Sequence, residues 1–202
     1  MRKRYISVIS LSLAAAIFIV CCCLQAEQRR LSEKLVRLHV VASSDSEYDQ
    51  SVKLSVRDAV LDAAARLMDG SPDPKKALAD GLPSIEQAAR ARLRELNADA
   101  PVTVTLRNEL FPTRTYETFS LPAGVYRSLR VTIGAGEGHN WWCVVFPSIC
   151  LTASMDELEA AARTAGFSDS ELRLITEEGE GYVLKFKTLE LLQKLKNLLF
   201  DA

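Results

Sequence analysis

Leu35–Val41 is almost continuously apolar and rich in β-branched residues, the pattern of a strand. Val36, Leu38 and Val40 share one face of it; Leu35, Arg37, His39 and Val41 share the other. A guanidinium and an imidazole on an otherwise apolar face require polar partners or water. Ser43, Ser44, Asp45 and Ser46 stop the strand, and the hydrophobic period then becomes helical. Ser46 is the expected N-cap, because Glu47 and Asp49 then fall in the first turn, where negative charge suits the helix dipole. Val52, Val56, Ala59, Val60, Ala63 and Leu67 align on one face of that helix. Leu54, Leu61 and Met68 form a second, narrower stripe roughly opposite, which requires either a covering helix or a partner surface.

Later segments repeat the alternation of helix and strand. Asp73 with Pro74 predicts a short helix closed by Gly81. Ser84 and Gln87 predict a capping box for a helix over Ile85–Leu96, the natural cover for the second stripe. Val102–Leu110 alternates cleanly, as a half-buried strand does. Phe111–Tyr116 reads as an irregular linker, Thr118–Leu121 as a short strand, and Val125–Ile133 and Trp141–Phe146 as further strands. A helix follows from Ser154 or Asp156 to about Thr164. Leu172–Thr176 and Tyr182–Lys187 flank EEGEG and predict a hairpin, and Leu189–Phe200 predicts a closing helix. The fold expected is α+β, a mixed β-sheet packed with helices. Its expected organisation is a leader over 1–26, a single exported domain over 27–167, and a C-terminal β-hairpin–helix extension over 168–202.

The beginning of the chain is of another kind. Tyr5–Leu24 is uncharged and mostly apolar after Arg2, Lys3 and Arg4. It has the length of a membrane span, longer than the apolar run of an ordinary signal peptide. It reads as export machinery, either a signal peptide cleaved near Ala26 or an uncleaved anchor. Without those three basic residues, 22 basic face 26 acidic side chains, a net charge of −4. That excess argues against nucleic acid or an anionic membrane surface as the main partner. Cys21, Cys22 and Cys23 lie within the apolar run. Cys143 and Cys150 are left for the exported part, an even number that fits a disulfide or two buried thiols.

Catalytic motifs are sparse. GAGEG at Gly134–Gly138 has the glycines of a phosphate cradle, but a strand-like segment follows it instead of a helix. Its glycines suit a turn with positive φ. His39, His139 and Cys143 number three ligands without a paired metal signature. As a Cys–His pair with acids of the 43–49 loop, they would make an extracytoplasmic, cell-wall-associated hydrolase, the alternative to a binding module. No cofactor and no small-molecule substrate follow from these residues. Trp141 and Trp142 are consecutive strand residues and point to opposite faces, so one of them is a candidate contact residue. The candidate partner-binding set is Ser44, Asp45, Asp49, Lys53 and Arg57 with His139, Asn140, Trp141 and Trp142.

A family resemblance takes the reading further. It is carried by LVRLHVVASSDSEYDQSVKLSVRDAVLDA at Leu35–Ala63, FPTRTY at Phe111–Tyr116, LPAGVYRSLRVTIGAGEGHNWWCVVFP at Leu121–Pro147 and FKTLELLQ at Phe186–Gln193. These resemble stage II sporulation protein R, with Ser43 standing where the likeness implies asparagine. The resemblance implies a non-enzymatic signal, made in the forespore and exported to the space between forespore and mother cell. It implies as partner a membrane-embedded sporulation protease that processes the pro-sigma-E factor, reached by protein–protein contact.

Overall fold

The computed structural model describes residues 2–149, 154–176, 187–188 and 190–191. Its elements run α1 (Arg2–Lys34), β1 (Val36–Val41), α2 (Glu47–Met68), α3 (Pro74–Asp80), α4 (Leu82–Glu95), β2 (Val102–Phe111), β3 (Arg114–Thr115), β4 (Ser120–Leu121), β5 (Gly124–Ile133), β6 (Asn140–Phe146), α5 (Met155–Thr164) and α6 (Asp169–Thr176). The fold is α+β. Four strands form a mixed sheet in the order β2-β5-β1-β6. β1 runs parallel to β5 and antiparallel to β6, and β2 pairs antiparallel with β5.

The sheet divides the core by side-chain parity. Val36, Leu38 and Val40 join Leu129, Val131 and Ile133 beneath α2, α3 and α4. Leu35 joins Phe111, Tyr126 and Val144 in a second cluster with Leu31 of α1 and residues of α5 and α6. Every residue of β1 is buried because both layers cover it. Lys34 closes the second layer by an ion pair to the buried Glu171 at 2.6 Å. The last turns of α1 therefore belong to the domain, while its apolar part projects from it as a helix long enough to cross a membrane.

Local rules account for most boundaries. Ser46 Oγ accepts the Asp49 backbone N–H at 3.1 Å, and Asp73 Oδ1 accepts that of Lys76 at 3.0 Å. α4 begins earlier than expected, at Leu82 after Gly81, with Pro83 in its first turn; no side chain caps it and Ser84 lies inside it. Met68 is buried under α4 and Leu61 packs at the edge of the same core, whereas Leu54 stays exposed. The expected hairpin is corrected in its first arm, since Leu172–Thr176 lies in helix α6. The reason is a capping box not recognised in the pattern. Ser168 Oγ accepts the Glu171 N–H at 3.3 Å, and the Glu171 carboxylate accepts the Ser168 N–H at 2.7 Å. Most of the second arm and of the closing helix lies outside the described residues.

Leu129 is fully buried on β5, between β2 and β1. Leu129→Ala is expected to lower stability by about 3 kcal/mol, measured as the shift in denaturant unfolding midpoint. A loss below about 1 kcal/mol would contradict the two-layer core.

Candidate functional site

The parallel pairing of β1 and β5 brings the loops that follow both strands to one end of the sheet, where open α/β sheets commonly bind ligands. The two loops are joined by their backbones. Gly138 N–H donates to Ala42 C=O at 3.0 Å and Glu137 N–H to Ser43 C=O at 3.3 Å. A Cβ on Gly138 would sit 2.2 Å from the Ser44 carbonyl oxygen, so only glycine permits this approach. Gly134 and Gly136 hold positive φ, the turn role the GAGEG pattern predicts. Strand β6 begins directly after the loop, so no helix N-terminus is there to receive a phosphate.

Side chains complete the clamp. Ser44 Oγ donates to Asp49 at 2.5 Å, and Gln50 Nε2 donates to Ser44 C=O at 2.9 Å. Asp45 Oδ1 accepts the His139 N–H at 2.6 Å and lies 2.5 Å from His139 Nδ1. Lys53 is 4% exposed, and its ammonium donates to Gln50 Oε1 at 2.5 Å and to His139 C=O at 3.0 Å. Burial lowers its pKa, and the Asp45 charge opposes that. Lys53 therefore builds the clamp instead of facing a partner. The Arg57 guanidinium lies 4.4 Å from the Trp141 ring centroid and pairs with Asp58 at 2.7 Å.

Most of the expected contact set thus meets at one end. Ser44, Asp45, Asp49, Lys53 and Arg57 come from the first loop and α2, and His139 and Trp141 from the second loop and β6; Asn140 lies at this end too, but its side chain turns to His39 on the other face. Asp45 and His139 are its exposed polar groups; Tyr48, in the first turn of α2, is also exposed, and its hydroxyl is directed to Leu96 C=O at 3.5 Å. The sequence reading passed over Tyr48; an aromatic in the polar first turn of a capped helix was the signal for it. Trp142 is separated from this group, because it faces the opposite side of the sheet from Trp141.

There it stacks on His39, with ring centroids 3.8 Å apart. This second face carries a polar cluster that the sequence reading reached only in part. His39 Nε2 lies 2.7 Å from Asn140 Oδ1, and Nδ1 lies 3.2 Å from both Arg130 Nη1 and Glu109 Oε2. Arg107 and Arg130 donate to Glu109 Oε1 at 2.7 and 2.9 Å. A neutral imidazole with its proton on Nε2 fits these partners, donating to Asn140 and accepting from Arg130. Burial lowers the His39 pKa from 6.5, against the pull of Asn140 and Glu109. Burial would raise the Glu109 pKa, but the hydrogen bonds from Arg107 and Arg130 help to outweigh it and bring the carboxyl to about 2. Arg37, fully buried, donates from Nε to Cys143 C=O at 3.0 Å and from Nη2 to Tyr116 Oη at 2.9 Å. It also faces the Phe111 ring at 4.4 Å. Glu109, Arg130 and Tyr116 were missed because the residues they serve lie on another strand.

The hydrolase arrangement does not converge. Cys143 is opposite Leu38 on the α2 side of the sheet, His39 is opposite Trp142 on the other side, and His139 is paired with Asp45. Cys143 is buried and disulfide-bonded, so its sulfur is not a free nucleophile. Cys150 lies outside the described residues. Among the described residues no group of three or more acids, histidines or cysteines is placed to hold a metal ion.

A family model described as stage II sporulation protein R matches residues 32–156, which take in both loops and the whole sheet. Stage II sporulation protein R of Bacillus subtilis (strain 168) is 32% identical over 123 residues, covering 59% of this chain and 55% of that protein. The match thus spans about half the length of that relative. No solved structure matches.

The polar cluster predicts a pH dependence. Above pH 6.5 the His39 imidazole is neutral in both folded and unfolded chains, and its effect on stability is constant. Below 6.5 the unfolded chain takes up the proton first, so stability falls until the folded imidazole also titrates. Glu109 adds a second loss, with full stabilisation above 4.5 that disappears as the pH approaches about 2. Denaturant midpoints of the full chain in detergent micelles are expected to fall in these two stages. His39→Gln is expected to lower stability at neutral pH while flattening the first stage, and an unchanged first stage would remove His39 as its cause.

Proposed function

This chain belongs to the stage II sporulation protein R family, and from that premise we propose that it is an exported contact signal of sporulation. It promotes activation of the membrane-embedded protease that processes the pro-sigma-E factor. The observation that carries the reading is the family match over residues 32–156. Its sporulation role follows from that membership; the protease, the export from the forespore and the contact mechanism are the proposal.

The geometry supplies a means. α1 enters the sheet at the start of β1, and the clamp of two loops lies at its far end, about 20 Å away along a strand of this length. A domain tethered through α1 would present Asp45, Tyr48 and His139 away from the bilayer. A rigid ligand favours an active protease only by binding that state more strongly than the inactive one. The clamp provides rigidity: its backbone bonds and the buried Lys53 fix the spacing of the two loops before any partner arrives. Arg57 over Trp141 beside them offers the cation and aromatic surface that commonly anchors an interface.

Reconstitution of the full chain with the protease and its precursor substrate in vesicles tests this. Adding the chain is expected to raise precursor processing. Arg57→Glu is expected to weaken the response about tenfold or more. Arg90→Ala, on the exposed side of α4, is expected to leave the response unchanged. Processing that does not respond to the wild-type chain would refute the proposal.

A further inference from the structure

The other end of the sheet has a feature that a contact surface facing away from the membrane does not use. Tyr5–Leu24 of α1 is apolar, and at about 1.5 Å per residue it measures about 30 Å, the thickness of a hydrocarbon core. Gln25 and the turns after it then lie at headgroup depth. At that depth a cavity of about 840 Å³ opens between α1, α3 and the start of β5. Gln25, Gln28 and Arg29 of α1, Lys75 of α3, and Val125 and Arg127 of β5 contribute to its wall.

The chemistry of this wall is that of an anion site. Three cations line it against one carboxylate, Glu33, which is already paired with Arg29 at 3.1 Å. Gln28 also lines the cavity, with its amide packed against Gly124. Lys75 Nζ donates to the Glu33 carbonyl, which ties α3 to α1 and holds the ammonium at the cavity. Arg127 is exposed, and its strand register places it beside Val36 and Asn108. Leu110 and Val125, 44% and 43% exposed, are paired across β2 and β5 at this same end. They are apolar where acyl chains and glycerol would meet the protein.

We infer that this cavity takes the headgroup of an anionic phospholipid, with its phosphodiester held among Arg29, Lys75 and Arg127. The inference requires α1 to remain attached and to cross the bilayer. A lipid is favoured over a free phosphate because one wall is the spanning helix itself and the rim is apolar. The net charge of the exported part, which argued against an anionic surface as the main partner, is an average; the cations here are grouped where the chain meets the membrane. The bound headgroup would fix the tilt of the domain on α1, and with it the direction in which the distant clamp points.

The test uses the full chain, extracted in mild detergent from vesicles of mixed phosphatidylcholine and phosphatidylglycerol, with retained lipid counted by native mass spectrometry. Preferential retention of phosphatidylglycerol is expected. Arg127→Gln is expected to reduce that preference about fivefold, the effect of one cation near a membrane surface, and Arg127→Lys to restore most of it. Arg127 has no hydrogen bond to lose among the described residues, so the comparison does not depend on refolding. Equal retention of the two lipids, or an unchanged preference in Arg127→Gln, would overturn the inference. Displacement by inorganic phosphate alone would point to a free anion instead. Loss of precursor processing in Arg127→Gln with lipid retention intact would place a protein in the cavity, which also overturns it.

Discussion

A strand buried on both faces that nevertheless carries Arg37 and His39 is the constraint on which this structure depends. Burying a guanidinium and an imidazole is unfavourable unless neighbouring groups replace the water they lose. The neighbours of β1 do so for every polar atom of the two side chains except Arg37 Nη1, which has no partner among the described residues. β6 brings the Cys143 carbonyl to Arg37 and Asn140 to His39, β5 brings Arg130, and β2 brings Glu109. A one-residue slip of register would turn Arg37 and His39 into the apolar layer beneath α2 and α4. The polar pairs therefore specify the alignment of the sheet, and the apolar residues of both layers stabilise it.

That alignment has consequences at both ends. Because β1 and β5 are parallel and in register, the loops leaving them meet, and Gly138 lets them approach to hydrogen-bonding distance. At the entry end the same register sets Arg127 opposite Val36, directly beyond the last turn of α1. Lys34 and Lys75 then tie α1 to α6 and α3. The two ends are held by one rigid sheet, so an orientation imposed at the α1 end is passed to the loop end without a moving part.

The charge pattern shows why averages mislead in such a chain. Acidic residues outnumber basic ones overall. In space the acids are distributed: Glu109 pairs with two arginines, Glu171 pairs with Lys34, and Asp45 holds His139. At the junction of α1 and the sheet, Arg29 is paired with Glu33, while Lys75 and Arg127 have no carboxylate partner among the described residues. Local field, set by which groups are paired, determines what a surface attracts.

The sequence by itself determined the elements whose signals are local. The strand at Leu35–Val41, the Ser46 and Asp73 caps, the glycine turn at Gly134–Gly138, the alternation of Val102–Leu110 and the apolar leader are all legible from neighbouring residues. So was the need of Arg37 and His39 for partners. What those partners are was decided only in three dimensions, because Glu109, Arg130, Tyr116 and Asn140 come from four other segments and no spacing links them to β1. The division of the two tryptophans could be read from strand parity, but that Trp142 covers His39 while Trp141 receives Arg57 depended on strand order and helix placement. The first arm expected of a C-terminal hairpin became helix α6 for a reason that was present locally, the Ser168–Glu171 capping box, and was outweighed in the reading by its β-like apolar run. The cavity beside α1 had no sequence signal at all, since its wall joins residues from α1, α3, β2 and β5 that only the folded chain brings together.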